Sequence, residues 1–106
     1  MAARASGLRM DEVQKLVNQA REHADAVIRL ATQLLEAGVD AKRVHTRYIT
    51  AMVDLEEEVD VRAVLASTGD AEAFERLGLL VAEFRGLRSE ARAELGDQEG
   101  DAGREA

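Results

Sequence analysis

Two short turns, each combining a glycine with an aspartate, divide the apolar pattern of this chain into three long stretches. Gly38 is followed by Asp40, and Gly69 is followed directly by Asp70. Glycine ends a helix because it adopts the left-handed conformation without steric cost, and aspartate caps the next helix by accepting from its free amides. No proline interrupts the stretches. The sequence therefore predicts three helices, at 10–37, 40–67 and 70–95.

Apolar residues recur at spacings of three and four within each stretch, as they do on one face of a helix. The connections are only a few residues long, so consecutive helices must run antiparallel. The three aromatic residues, Tyr48, Phe74 and Phe84, leave a core of mainly aliphatic side chains. The predicted fold is an all-α, antiparallel up-down-up bundle of three long helices, forming one domain at 10–95.

Both ends of the chain lack the apolar pattern. Residues 96–106, GDQEGDAGREA, contain no apolar residue larger than alanine. We expect residues 1–9 to be a flexible N-terminus and residues 96–106 to be a disordered acidic tail. No segment resembles a signal peptide or approaches the roughly 20 apolar residues of a membrane span. The sequence predicts a cytoplasmic protein that has no membrane association.

The formal net charge of −7 opposes general attraction to nucleic acid or anionic lipid. Carboxylates are densest in the second half of helix two, where they could imitate the phosphates of a nucleic acid. This candidate acidic surface consists of Asp54, Glu56, Glu57, Glu58 and Asp60.

No combination of residues indicates catalysis or a cofactor. The chain has no cysteine, and its histidines, His23 and His45, have no glutamate three residues before them, as a di-metal helical bundle would require. His23 lies at the edge of the apolar arc of helix one and His45 within that of helix two, which indicates bundle or interface positions. The sequence predicts no metal, no cofactor and no enzymatic activity.

Basic residues at the start of helix two are unfavourable to that helix, because cations at a helix N-terminus oppose its dipole. In an up-down-up bundle they lie beside the end of helix three. We interpret them as a candidate contact for an acidic protein or a phosphate backbone. This basic cluster consists of Lys42, Arg43, His45, Arg47 and Arg88.

Four apolar residues lie away from the predicted core faces and form a candidate protein interface. They are Val61, Val64, Leu65 and Leu79. One explanation is a break of helix two near Asp60, which would cap a short terminal helix. The other is a second apolar surface that binds another chain, including a second copy of this one.

These patterns favour a small acidic helical module for protein–protein interaction, acting as an adaptor, chaperone-like or regulatory protein through apolar helix surfaces and forming homo-oligomers. The alternative is an acidic inhibitor or accessory subunit of a nucleic-acid-processing complex.

Overall fold

The computed structural model describes the backbone of residues 2–105 and the side chains of residues 10–98. Helix α1 is Ala2–Glu36 and helix α3 is Ala71–Glu105. Helix α2 covers residues 41–67 in three joined parts: α-helical Ala41–Val44, π-helical His45–Thr50 and α-helical Ala51–Ser67. Residues 2–105 contain no strand. The predicted all-α bundle of three helices is confirmed.

The turn after α1 is a Schellman motif built on Gly38. The N–H of Gly38 donates to Leu35, and that of Val39 donates to the carbonyl of Leu34 at 3.0 Å. Gly38 has a φ of +93°, which a residue with a Cβ adopts only with strain. The Asp40 carboxylate then accepts from the N–H of Arg43 at 3.0 Å and caps α2, as predicted.

The turn after α2 has the same hydrogen-bonding geometry, but the capping aspartate follows the glycine directly instead of two residues later. Gly69, with a φ of +103°, donates to Ala66, and Asp70 donates to the carbonyl of Leu65 at 3.1 Å. The side chain of Asp70 also accepts from the N–H of Ala73 at 3.0 Å, so one residue closes α2 and caps α3. Both predicted turns are confirmed.

The helix directions follow from contacts between side chains. Arg43, near the start of α2, forms an ion pair with Glu94, in the second half of α3. Glu58, about half a helix further along α2, forms an ion pair with Arg76, near the start of α3. Residue numbers therefore increase along α2 in the direction in which they decrease along α3, so these two helices are antiparallel. The bundle is a narrow rod with extents of 64 × 22 × 16 Å, and each helix packs against the other two.

The core is a single column of mostly aliphatic side chains along the bundle axis. Its largest fully buried members, from all three helices, are Val27, Leu34, Val44, Tyr48, Leu77, Leu80 and Phe84.

Helix α2 is irregular near its start and regular near Asp60. On an α-helix, residues spaced by four do not stay on one face, because each step of four residues turns about 40° beyond a full rotation around the helix axis. The wider π-helical turn reduces that drift, and Val44, Tyr48 and Met52 are all buried although each is four residues from the next. Of the two explanations given for the four outlying apolar residues, a break of helix two near Asp60 is wrong, because Ala51–Ser67 is continuous and the Asp60 side chain is exposed in mid-helix instead of capping a new helix.

Helices α1 and α3 extend beyond the predicted limits of 10–37 and 70–95. The added turns contain glycines but no proline, so no residue removes a backbone donor. The side chains of residues 1–9 and 99–106 lie outside the described residues. The flexibility expected of residues 1–9 and 96–106 stays a prediction.

Candidate protein-interaction surfaces

The C-terminal half of α2 is apolar on two opposite faces. Val59 is buried in the core, whereas Val61, two residues or about 200° further on, is 56% exposed. Val64 is 66% and Leu65 37% exposed, and together with Asp60 these three residues line one shallow depression on the outside of the bundle. We call Val61, Val64 and Leu65 the outer face of α2. A helix with two apolar faces can bury only one of them in a single three-helix bundle.

Leu79, the fourth predicted interface residue, lies on α3 and is 59% exposed. It does not line the depression formed by the outer face of α2. Val53 was not included in the prediction, although it is 43% exposed and precedes Val61 by eight residues, slightly more than two helical turns. That spacing is the signal that could have found it.

The acidic surface borders the outer face of α2 and is only partly neutralised. Glu58 accepts hydrogen bonds from Nε and Nη2 of Arg76, the latter at 3.0 Å, and this hydrogen bonding lowers the pKa of Glu58. The other four carboxylates of the set are exposed and form no ion pair within residues 10–98. They are Asp54, Glu56, Glu57 and Asp60.

Two of the five members of the basic cluster form ion pairs with glutamates of α3. Arg43 donates to Glu94 at 2.8 Å, and Arg47 donates through two nitrogens to Glu90. Sequence reasoning missed these two glutamates, although their spacing of four places them on one side of α3. Lys42 and His45 are exposed. His45 therefore does not lie within the apolar arc of α2, contrary to the prediction, since it begins the π-helical part.

Tyr48 links the π-helical part of α2 to this group of charges. Its ring is 1% exposed, and its hydroxyl donates to Oε1 of Glu94 at 2.7 Å, the oxygen that also accepts from Arg43. Burial of the phenol, and then the hydrogen bond to Glu94, raise the pKa of Tyr48. The other oxygen of Glu94 is buried without a hydrogen-bond partner among the described residues.

Arg88 lies apart from the other members of the basic cluster. It is half-buried between α1 and α3, where its Nη1 is 3.3 Å from Nδ1 of His23. Burial, followed by the charges of Arg88 and Arg85, lowers the pKa of His23, while Glu22 opposes the shift. The structure thus divides the predicted cluster between two sides of the bundle.

Within residues 10–98, no three side chains of metal-binding type lie close enough to hold an ion. No helix in the described part of the chain has the length and apolar character needed to cross a bilayer. Comparison with family models, curated proteins and solved structures found no match to this chain.

Proposed function

We propose that this protein is a helical interaction module that binds protein partners, including a second copy of itself, through the outer face of α2. The observation that supports this proposal is the exposure of Val61, Val64 and Leu65 on a continuous helix. Contact with another helix would remove these side chains from water, and each fully buried aliphatic side chain contributes about 1.5–3 kcal/mol. A cytoplasmic, non-enzymatic role belongs to the same proposal.

The acidic surface beside the outer face of α2 determines how self-association is expected to depend on salt. In a two-fold symmetric contact, the same patch of each copy faces the other. Asp54, Glu57 and Asp60 of both copies would then approach one another without compensating cations, and their repulsion weakens the dimer. Salt screens such charges, with a Debye length of about 10 Å at 0.1 M. We expect self-association to be weak and to strengthen with added salt, and a heterologous partner with lysine or arginine beside its apolar residues to bind more tightly.

Replacement of Val64 and Leu65 by lysine tests this surface. Lysine is a good helix former, and both side chains lie away from the core, so helicity should be retained. Burial of unpaired charge at the contact should oppose association. Sedimentation velocity should show a concentration-dependent increase in mass for the wild-type chain and a constant monomer mass for Val64→Lys/Leu65→Lys.

Two control variants locate the interface. Ile28→Lys changes an apolar residue on α1 whose exposure, 43%, lies between those of Val64 and Leu65, and should leave the assembled mass unchanged. Leu79→Lys shows whether α3 contributes to the same contact. A folded Val64→Lys/Leu65→Lys chain with the assembled mass of the wild type would refute the proposal.

The exposed carboxylates support one alternative, in which the protein is an acidic inhibitor or accessory subunit that occupies a nucleic-acid-binding protein. Asp54, Glu57 and Asp60 lie along one helix with no ion pair among the described residues. Replacement of all three by their amides should abolish such binding, whereas Val64→Lys/Leu65→Lys should retain it. The proposed apolar contact predicts the reverse.

A further inference from the structure

The contact between His23 and Arg88 brings together two basic groups without a carboxylate between them. Arg43, Arg47 and Arg76 each form an ion pair with a glutamate. Neither Arg88 nor Arg85 has such a partner within residues 10–98. The molecule as a whole is acidic. A half-buried group of positive charges without an ion-paired carboxylate attracts anions locally, even where the net charge of the protein is negative.

The contact also defines the state of the imidazole. Arginine can only donate, so Nδ1 of His23 must accept from Arg88. The neutral ring then carries its proton on Nε2 and keeps one donor available. Arg85 precedes Arg88 by three residues and therefore lies on the same side of α3. The guanidinium of Arg88 and this N–H come from two helices that pack against each other.

We infer that His23, Arg85 and Arg88 form a binding site for a small phosphate-bearing anion on the surface where α1 packs against α3. Guanidinium groups bind phosphate with two parallel hydrogen bonds. A phosphate group has enough oxygens to accept from both arginines and the imidazole together, whereas a carboxylate has only two. This site is independent of the outer face of α2.

Charges around the imidazole determine how binding depends on pH. Arg85 and Arg88 of α3 favour neutral His23, and Glu22 of α1 favours the protonated form; α2 contributes no charge to this balance. A bound phosphate adds negative charge, so the protonated form gains stability. Binding should therefore raise the pKa of His23, and affinity should increase as the pH falls.

Histidine NMR of the full chain tests the inference, with inorganic pyrophosphate as the probe and sodium chloride to match ionic strength. We expect a saturable shift of the His23 ring signal and an increase in its pKa. The signal of exposed His45 should move little and serves as an internal control. Arg88→Gln should weaken pyrophosphate binding about tenfold or more, as expected for loss of a charge-assisted hydrogen bond.

Two further variants separate a specific site from general charge. Arg85→Gln changes an exposed side chain, so it tests the site even if Arg88→Gln unfolds the bundle. Arg29→Gln removes the same charge from an exposed position of α1 and should leave affinity unchanged. The inference is overturned if pyrophosphate causes no saturable shift, if Arg29→Gln weakens binding as much as Arg85→Gln, or if acetate binds as well as pyrophosphate.

Discussion

Removal of a single oxygen from the core, by Tyr48→Phe, tests how the π-helical part of α2 is held against α3. The ring is 1% exposed and would remain in place, so the apolar packing is preserved. Only the 2.7 Å hydrogen bond to Glu94 is lost. The effect of the variant therefore reports on that bond alone.

The size of the effect follows from the surroundings of Glu94. A hydrogen bond to a charged group contributes about 1.5–3 kcal/mol. The Glu94 side chain keeps 15% of its exposure and its ion pair with Arg43, so part of the loss is compensated. We therefore expect the free energy of unfolding to fall by about 1–2 kcal/mol, because Oε1 of Glu94 still accepts from Arg43 in the variant. For a domain of this size, each kcal/mol lowers Tm by about 4–8 °C.

Urea and thermal unfolding, followed by circular dichroism, measure this change. Arg47→Gln is the matched control, because it removes an exposed ion pair of the same helix and should leave the midpoint nearly unchanged. An unchanged or increased stability of Tyr48→Phe would refute the reasoning and show that the buried hydroxyl contributes no net stabilisation.

Two other predictions concern pH and the backbone. Because the folded state raises the pKa of Tyr48, stability should be retained below pH about 10 and decline above it, as the unfolded chain ionises first. This part of the decline should be absent from Tyr48→Phe, and phenolate absorbance of the wild type, which has one tyrosine, should follow its unfolding. Gly69→Ala should cost about 1–2 kcal/mol because its φ is positive, whereas Gly78→Ala in mid-helix should stabilise by about 0.5–1 kcal/mol. Equal effects of the two alanines in urea unfolding would contradict this account.

The turns could be predicted because they depend on residues close in sequence. The turn at Gly38 and Asp40 is held by hydrogen bonds that span three to five residues, so the same short pattern favours the same turn in any chain. The exposure of Val61 and Val64 could also be predicted, since 100° per residue places them away from Val59.

The contacts that order α2 against α3 could not be predicted. The pairing of Tyr48 with Glu94 spans 46 residues and depends on the rotation and relative height of both helices. The π-helical turn displaced His45 from the face that a regular helix would give it. A continuous helix with two apolar faces has the same sequence pattern as two helices separated by a break. The sequence alone therefore cannot show that α2 is continuous at Asp60. His23 and Arg88 come into contact only because α1 and α3 pack against each other.

The two apolar faces of α2 give its polar contacts a particular importance. In the C-terminal half of α2, rotation of the helix by half a turn would exchange Val59 for Val61 in the core, and two valines release the same area from water. Burial of this pair therefore does not discriminate between the two orientations, whereas burial of Val44, Tyr48 and Met52 favours the observed one. Tyr48 with Glu94 and Arg76 with Glu58 are satisfied in only one of them. These contacts therefore act together with the burial of Val44 and Met52 to select one orientation of α2, and they matter most in the C-terminal half, where apolar burial is least decisive.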